Sequence, residues 1–268
     1  MKRKPPPRPA RKDQRMLQRV AGLPAVAALF ATRPQQVERL FFDERMKGAV
    51  GSFCAALAQA RKPYRLVGED ELARVAGSVM HGGVVAVAEP RPVLPLDPAE
   101  AAGWARDGVA LLLLDGVGNP HNLGAIARSA AFFGVKRLVL SDHPAQAAPS
   151  DASYRVAEGG LEHLTVYRAT NFASALRRLA QSYRVLGTAL ERGTDLAALA
   201  PAPRPTALVL GNEETGLPQA TLRACDEIVT IAGTGPVQSL NVSVSAGILL
   251  HALLRRGEAP TGGPSRVL

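Results

Sequence analysis

The sequence predicts an α/β protein built as two units in tandem. Short apolar runs such as Val84-Val85-Ala86-Val87-Ala88 alternate with stretches of helical spacing, the pattern of strands covered by helices. Four closely spaced prolines, Pro90, Pro92, Pro95 and Pro98, interrupt that alternation. The 268-residue chain exceeds the usual single-domain size and leaves enough length on each side of the break for a core of its own.

In the first unit, residues 21–32 have helical spacing, 37–42 form a strand pattern, and 48–60 are helical again. A short strand is expected at 64–67, a helix at 69–76 and a buried strand at 84–88. The four prolines that follow stiffen the backbone and remove donors, so this stretch reads as a linker. The second unit opens with a continuous apolar strand at 109–114, then a Gly-rich turn and a helix over 122–133. Strands follow at 137–141, 164–167, 184–188, 207–210 and 227–231, with a helix at 171–181 and a last helix at 239–256 that ends in Arg255 and Arg256. Apolar strands separated by helices imply a mostly parallel sheet covered on both faces, and two terminal arginines suit the negative end of a helix dipole.

Composition excludes several classes. No run approaches the roughly 18 apolar residues of a membrane span, and the first residues lack the apolar core of a secretory signal. Cys54 and Cys225 lie far apart with no CxxC spacing, so neither a disulfide nor a zinc site is expected and a cytoplasmic location fits. Of the net charge of +9, residues 1–19 carry +7, interleaved with Pro5, Pro6, Pro7 and Pro9. A disordered basic arm that binds a phosphate backbone is expected from that density, with a solubilising tail or a transit peptide as the plainer readings.

Two enzyme classes can be weighed on spacing alone. Gly116, Gly118 and Gly124, with Asp142 ending the next strand, offer a dinucleotide cradle. The third glycine follows the second by six residues rather than three, however, which makes the turn too long for that cradle. His81-Gly82-Gly83 is similar to the oxyanion loop of some esterases, yet the chain has no G-x-S-x-G elbow to supply a nucleophile. His121, His143, His163 and His251 show no metal-ligand spacing, and no metal is expected.

Three polar, glycine-bearing segments remain. Residues 120–130, Pro-His-Asn-Leu-Gly-Ala-Ile-Ala-Arg-Ser-Ala, resemble the first motif of the SpoU (TrmH-like) RNA 2′-O-ribose methyltransferases of the SPOUT superfamily. Residues 208–218, Leu-Val-Leu-Gly-Asn-Glu-Glu-Thr-Gly-Leu-Pro, resemble the second, and residues 237–244, Val-Gln-Ser-Leu-Asn-Val-Ser-Val, the third. Their occurrence together and in order makes the resemblance specific. The basic arm, the first unit and Ala157-Glu158-Gly159-Gly160 are most similar to the YfiF-type tRNA/rRNA methyltransferase branch.

The resemblance implies a C-terminal SPOUT domain with a parallel sheet and a deep trefoil knot, preceded by a small α/β, ribosomal-protein-like substrate-binding domain. The expected division is a basic arm over 1–17, the RNA substrate-binding domain over 18–90, a linker over 91–107, the methyltransferase domain over 108–257 and a flexible tail over 258–268. It also implies S-adenosyl-L-methionine as cofactor, RNA (tRNA or rRNA) as substrate, and a homodimer with the last helix near its interface. Gly211, Ile231 and Leu240 match cofactor contacts, with Thr188 and Gly187 as additions whose plainer reading is a strand-end turn.

Asn122, Arg128, Glu213, Ser239 and Asn241 match the family's catalytic positions. Asn122 and Arg128 project about 120° apart around one helix. Because a guanidinium keeps its proton, Arg128 is expected to stabilise a developing alkoxide and a phosphate rather than act as a base, with Glu213 positioning Arg128 or the loops. The plainer readings are a solvated helix-face arginine for Arg128, a loop carboxylate for Glu213, and helix capping for Ser239 and Asn241. A non-catalytic RNA-binding or ribosome-associated protein that keeps the fold is the contrasting class, and it has no need of all five residues.

Overall fold

The computed structural model describes residues 17–190 and 193–254. The basic arm up to residue 16, Arg255 and Arg256, and the C-terminal tail lie outside them.

The first unit runs β1 (Gln18–Ala21), α1 (Leu23–Thr32), β2 (Val37–Phe42), α2 (Gly51–Gln59), β3 (Tyr64–Leu66), α3 (Glu69–Ala76) and β4 (Val84–Ala88). Its sheet has the order β1-β4-β2-β3, with β4 antiparallel to both neighbours and β2 parallel to β3. Strand alternation divides the core between the two faces. Val84, Ala86 and Ala88 pack with Leu29, Leu40 and Leu57, while Val85 packs with Leu72 and Ala76. Helix α3 begins on Glu69, Asp70 and Glu71, which suit its positive end, and stops at Gly77 in the left-handed region, φ 67°. Strand β1 was not expected, and Ala21 belongs to it rather than to the first helix.

The second unit runs β5 (Leu94–Pro95), α4 (Pro98–Arg106), β6 (Leu111–Asp115), α5 (Pro120–Phe132), β7 (Arg137–Leu140), α6 (Asp151–Ala157) and β8 (Thr165–Arg168). It continues with α7 (Phe172–Leu179), β9 (Arg184–Thr188), β10 (Thr194–Asp195), β11 (Thr206–Gly211), α8 (Gln219–Leu222), β12 (Glu227–Thr230) and α9 (Val242–Leu254). The eight strands form one sheet in the order β10-β12-β9-β11-β6-β7-β8-β5, and every neighbouring pair is parallel. Leu112 and Leu114 face a core shared with Leu123, Ile126 and Leu249, whereas Leu111 and Leu113 face Trp104, Leu176 and Tyr183. Helices therefore cover both faces, which is why the strand sequences are continuously apolar.

Residues 91–107 correct the expected linker. Leu94 and Pro95 pair with β8 as an edge strand, and α4 buries Ala101 and Trp104. Pro98 occupies the first turn, where its missing N–H costs nothing, and the Asp97 carboxylate caps the helix by accepting from Ala99 N at 2.8 Å. Arg137 lies over the Trp104 ring, 4.4 Å from its centroid, and closes that corner by a cation–π contact.

The two units are joined by charge as well as by apolar packing. The Arg33 guanidinium donates from Nε and Nη2 to the two carboxylate oxygens of Glu162, each at 2.8 Å. Arg91 donates to the carbonyls of Leu161 and Glu162 from the other side. The Arg19 amide donates to Asp151 Oδ1 at 3.0 Å, at the start of α6.

Candidate active site

Three segments meet at the C-terminal ends of β11, β6 and β9. Leaving β11, the chain folds back on itself: Asn212 and Gly216 exchange backbone hydrogen bonds, and a Cβ on Gly211 would lie 2.5 Å from Gly216 C and 2.6 Å from Leu217 N. Only glycine fits that close approach. The Asn212 side chain shapes the loop further, its Oδ1 accepting from the amides of Glu214 and Thr215 while its Nδ2 donates to Gly116 O at 2.9 Å. The turn after β6 is held by Gln146, which accepts from the Val117 amide and donates to its carbonyl, both at 3.1 Å.

Helix α5 starts next to this loop. Asn119 caps it by accepting from His121 N at 2.8 Å, and Pro120 takes the first turn. Gly124 allows α6 to approach, since a Cβ there would lie 2.5 Å from Ser153 O. That packing role, rather than a phosphate cradle, accounts for Gly124.

A hydrogen-bond relay ties the three motif segments together. Asn122 Nδ2 donates to Glu213 Oε1, and Asn122 Oδ1 accepts from Asn241 Nδ2 at 3.1 Å. Asn241 in turn accepts from Ser243 N at 2.8 Å and Ser243 Oγ at 2.6 Å, so it also caps α9, which begins at Val242 rather than at Ser239. Capping and participation in the relay coexist in one side chain.

A cavity of about 720 Å³ opens beside the relay. Thr188, Gly211, Ile231 and Leu240 all line it, with Glu213 and Ser239 at the side where the relay begins. Glu213 is the one ionisable side chain among the described residues of the lining. The walls suit an adenosyl cofactor: apolar side chains from Ile231, Leu240 and Leu249 offer surfaces to a base, while the loop backbones supply amides and carbonyls. Thr188 Oγ1 donates to Val209 O at 3.2 Å, and neighbouring Gly187 packs against Cys225 and Ile228 instead of the cavity.

Arg128 is not part of this cluster. Six residues beyond Asn122, it points to the other side of α5, where Nη2 lies 2.9 Å from Glu158 Oε2. Glu213 therefore contacts Asn122 and not Arg128, which replaces one of the two expected roles for Glu213 with the other. Sequence reasoning assigned no role to Asn212, Gln146 or Glu158. The signal for Glu158 was local, a residue with a side chain directly before Gly159-Gly160 at the end of a helix.

The fold and the site define an α/β enzyme domain with a cavity at the strand ends of a parallel sheet, joined to a small mixed-sheet domain. A model of the SpoU rRNA methylase family matches residues 110–251, and a model of the RNA 2′-O ribose methyltransferase substrate-binding domain matches residues 19–94. The tRNA/rRNA methyltransferase YfiF of Escherichia coli, described as uncharacterized, is 37% identical over 242 residues, which cover 90% of this chain and 69% of that protein. The 23S rRNA (guanosine-2′-O-)-methyltransferase RlmB of Acinetobacter baylyi is 33% identical over 88% of this chain and 96% of its own length. Among solved structures, the SpoU methyltransferase AviRb from Streptomyces viridochromogenes in complex with AdoMet superposes with a TM-score of 0.70 at 25% identity, covering 92% of this chain and 94% of that one. The chain belongs to the SpoU rRNA methylase family.

Proposed function

We propose that this protein transfers a methyl group from S-adenosyl-L-methionine to a ribose 2′-hydroxyl of a structured RNA, tRNA or ribosomal RNA. The observation that carries the reading is the relay Glu213–Asn122–Asn241, which brings residues of all three motif segments to the mouth of the cavity.

Gly211, Ile231, Leu240 and Thr188 would hold the cofactor, which supplies a methyl group already activated as a sulfonium. The protein's part is alignment and charge. Asn122 and Asn241 hold the segments in register, Glu213 and Ser239 border the reaction centre, and Arg128, which stands apart from this cluster within one chain, stabilises the alkoxide and the neighbouring phosphate once the second copy and the RNA complete the site. The first unit presents RNA to the site. Its edge strand β3 exposes Tyr64, a stacking surface for an unpaired base, beside Arg65.

The active form in this reading is a homodimer built on α9. Val244 and Ile248, one helical turn apart on α9, and Phe132 at the end of α5 are exposed apolar side chains. The same reading includes a trefoil knot around the cavity, supported by the return of residues 239–240 to the end of β11 after β12 has joined the far side of the sheet. Among the described residues no helix is long and apolar enough to cross a membrane, and no group of three His, Cys, Asp or Glu could hold a metal.

Mapping 2′-O-methyl sites in total RNA with and without the protein tests the reading. At least one protein-dependent site is expected. RNA binding with no methyl transfer would move the chain to the non-catalytic class.

A further inference from the structure

Glu158 is the C-cap of α6 and adopts the left-handed conformation, φ 44° and ψ 45°. That conformation is uncommon for a residue with a side chain and persists where surrounding contacts impose it. The next two residues supply those contacts. A Cβ on Gly159 would lie 2.8 Å from Ala28 Cβ, and a Cβ on Gly160 would lie 2.8 Å from Arg128 Cα and 2.9 Å from Ala127 O. The turn is thus pressed onto the backbone of the residue its carboxylate pairs with. The pair itself is open to solvent, with side-chain exposures of 56% for Arg128 and 47% for Glu158. Arg128 meets Glu158 through Nη2, and a guanidinium carries five N–H groups in all, more than one carboxylate can occupy.

We propose that Glu158 is a positioning residue for Arg128. It holds one edge of the guanidinium by an ion pair, so that the remaining N–H groups face the phosphate and the reacting hydroxyl of the RNA. This rests on the role given to Arg128 above. A solvent-exposed pair of this kind is weak, which suits a group that must also receive an incoming anion. A carboxylate beside an RNA-facing arginine also repels phosphate. Glu158 therefore raises turnover while lowering RNA affinity, and removing it moves the two quantities in ways that a merely structural residue would not.

The test uses the full chain with S-adenosylmethionine and, as probe, total RNA from cells lacking the protein. Glu158→Ala is expected to lower kcat about tenfold while KM for RNA falls about twofold. Glu158→Gln, which keeps a neutral acceptor, is expected to recover part of kcat with the same fall in KM. Thermal midpoint and cofactor affinity stay at the wild-type values in both. An unchanged kcat, or a KM that rises together with the loss of kcat, overturns the proposal. Full activity in Arg128→Ala would instead overturn the role of Arg128, whatever the Glu158 variants do.

Discussion

Arg33 and Glu162 form a two-pronged ion pair across the domain junction, with side-chain exposures of 6% and 0%. Burial works against the charge on Arg33, and the hydrogen bond and field of Glu162 outweigh it, so the guanidinium pKa is raised above its ordinary value. Truncating one partner strands the other charge out of water. Arg33→Ala is expected to destabilise the protein by about 3–5 kcal/mol in denaturant unfolding, and replacing both partners by apolar residues is expected to cost far less.

Asn122 joins Glu213 to Asn241 without lining the cavity. Asn122→Asp sets a second carboxylate against Glu213 and deprives Asn241 of a well-placed neutral partner. Methyl transfer is expected to fall by about two orders of magnitude. Calorimetric affinity for S-adenosylmethionine is expected to change less than about threefold, because the cavity wall is intact.

Gly211→Ala tests the wall itself. The added methyl would meet backbone atoms of Gly216 and Leu217 at 2.5–2.7 Å, and backbone cannot swing aside as a side chain can. The loop over 212–216 must shift, and cofactor affinity measured by calorimetry is expected to drop tenfold or more, about 1.4 kcal/mol.

Cys225 packs beside Gly187 at the strand end below the cavity. Burial, with the Asp226 and Asp115 carboxylates adding to it, pushes its thiol up to about 12 from 9.0. The folded state thus holds the proton more tightly than the unfolded state. The stability from this group is complete below pH 9 and declines as pH rises from there toward 12. Native protein at pH 8 is expected to leave Cys225 unmodified by a thiol-reactive disulfide reagent, and unfolded protein to react at once.

Deleting residues 1–15 tests the basic arm. Each phosphate the arm contacts adds about 0.7–0.9 to the slope of log affinity against log salt, so the shortened protein is expected to bind RNA with a shallower slope. Filter binding across salt concentrations measures it, and an unchanged slope removes the arm from the interface.

The elements most legible in the sequence were those set by local pattern. Val37–Phe42, Glu69–Ala76, Val84–Ala88 and Arg184–Thr188 have the bounds their apolar spacing indicates. Strand β1 escaped because its four residues include Gln18 and Arg19, and only pairing with β4 makes them a strand. Helix α4 escaped because Pro98 reads as a breaker until Asp97 is seen to cap it. At the site, the family resemblance named Gly211, Ile231 and Leu240, and the strand end named Thr188, all four of which line the cavity, and four of the five polar residues that the motifs named are found beside it. Which polar group meets which was not readable: Asn122 and Asn241 are 119 positions apart, and the partner of Arg128 comes from a turn that helical spacing does not describe.

The Glu158-Gly159-Gly160 turn touches three things at once. Its glycines lie against Ala28 in the first domain and against the backbone of α5, and its carboxylate holds Arg128. The two domains are therefore not interchangeable cassettes. A chimera that grafts another substrate-binding domain onto this catalytic domain must also rebuild that turn, or it loses the contacts that seat Glu158 beside Arg128.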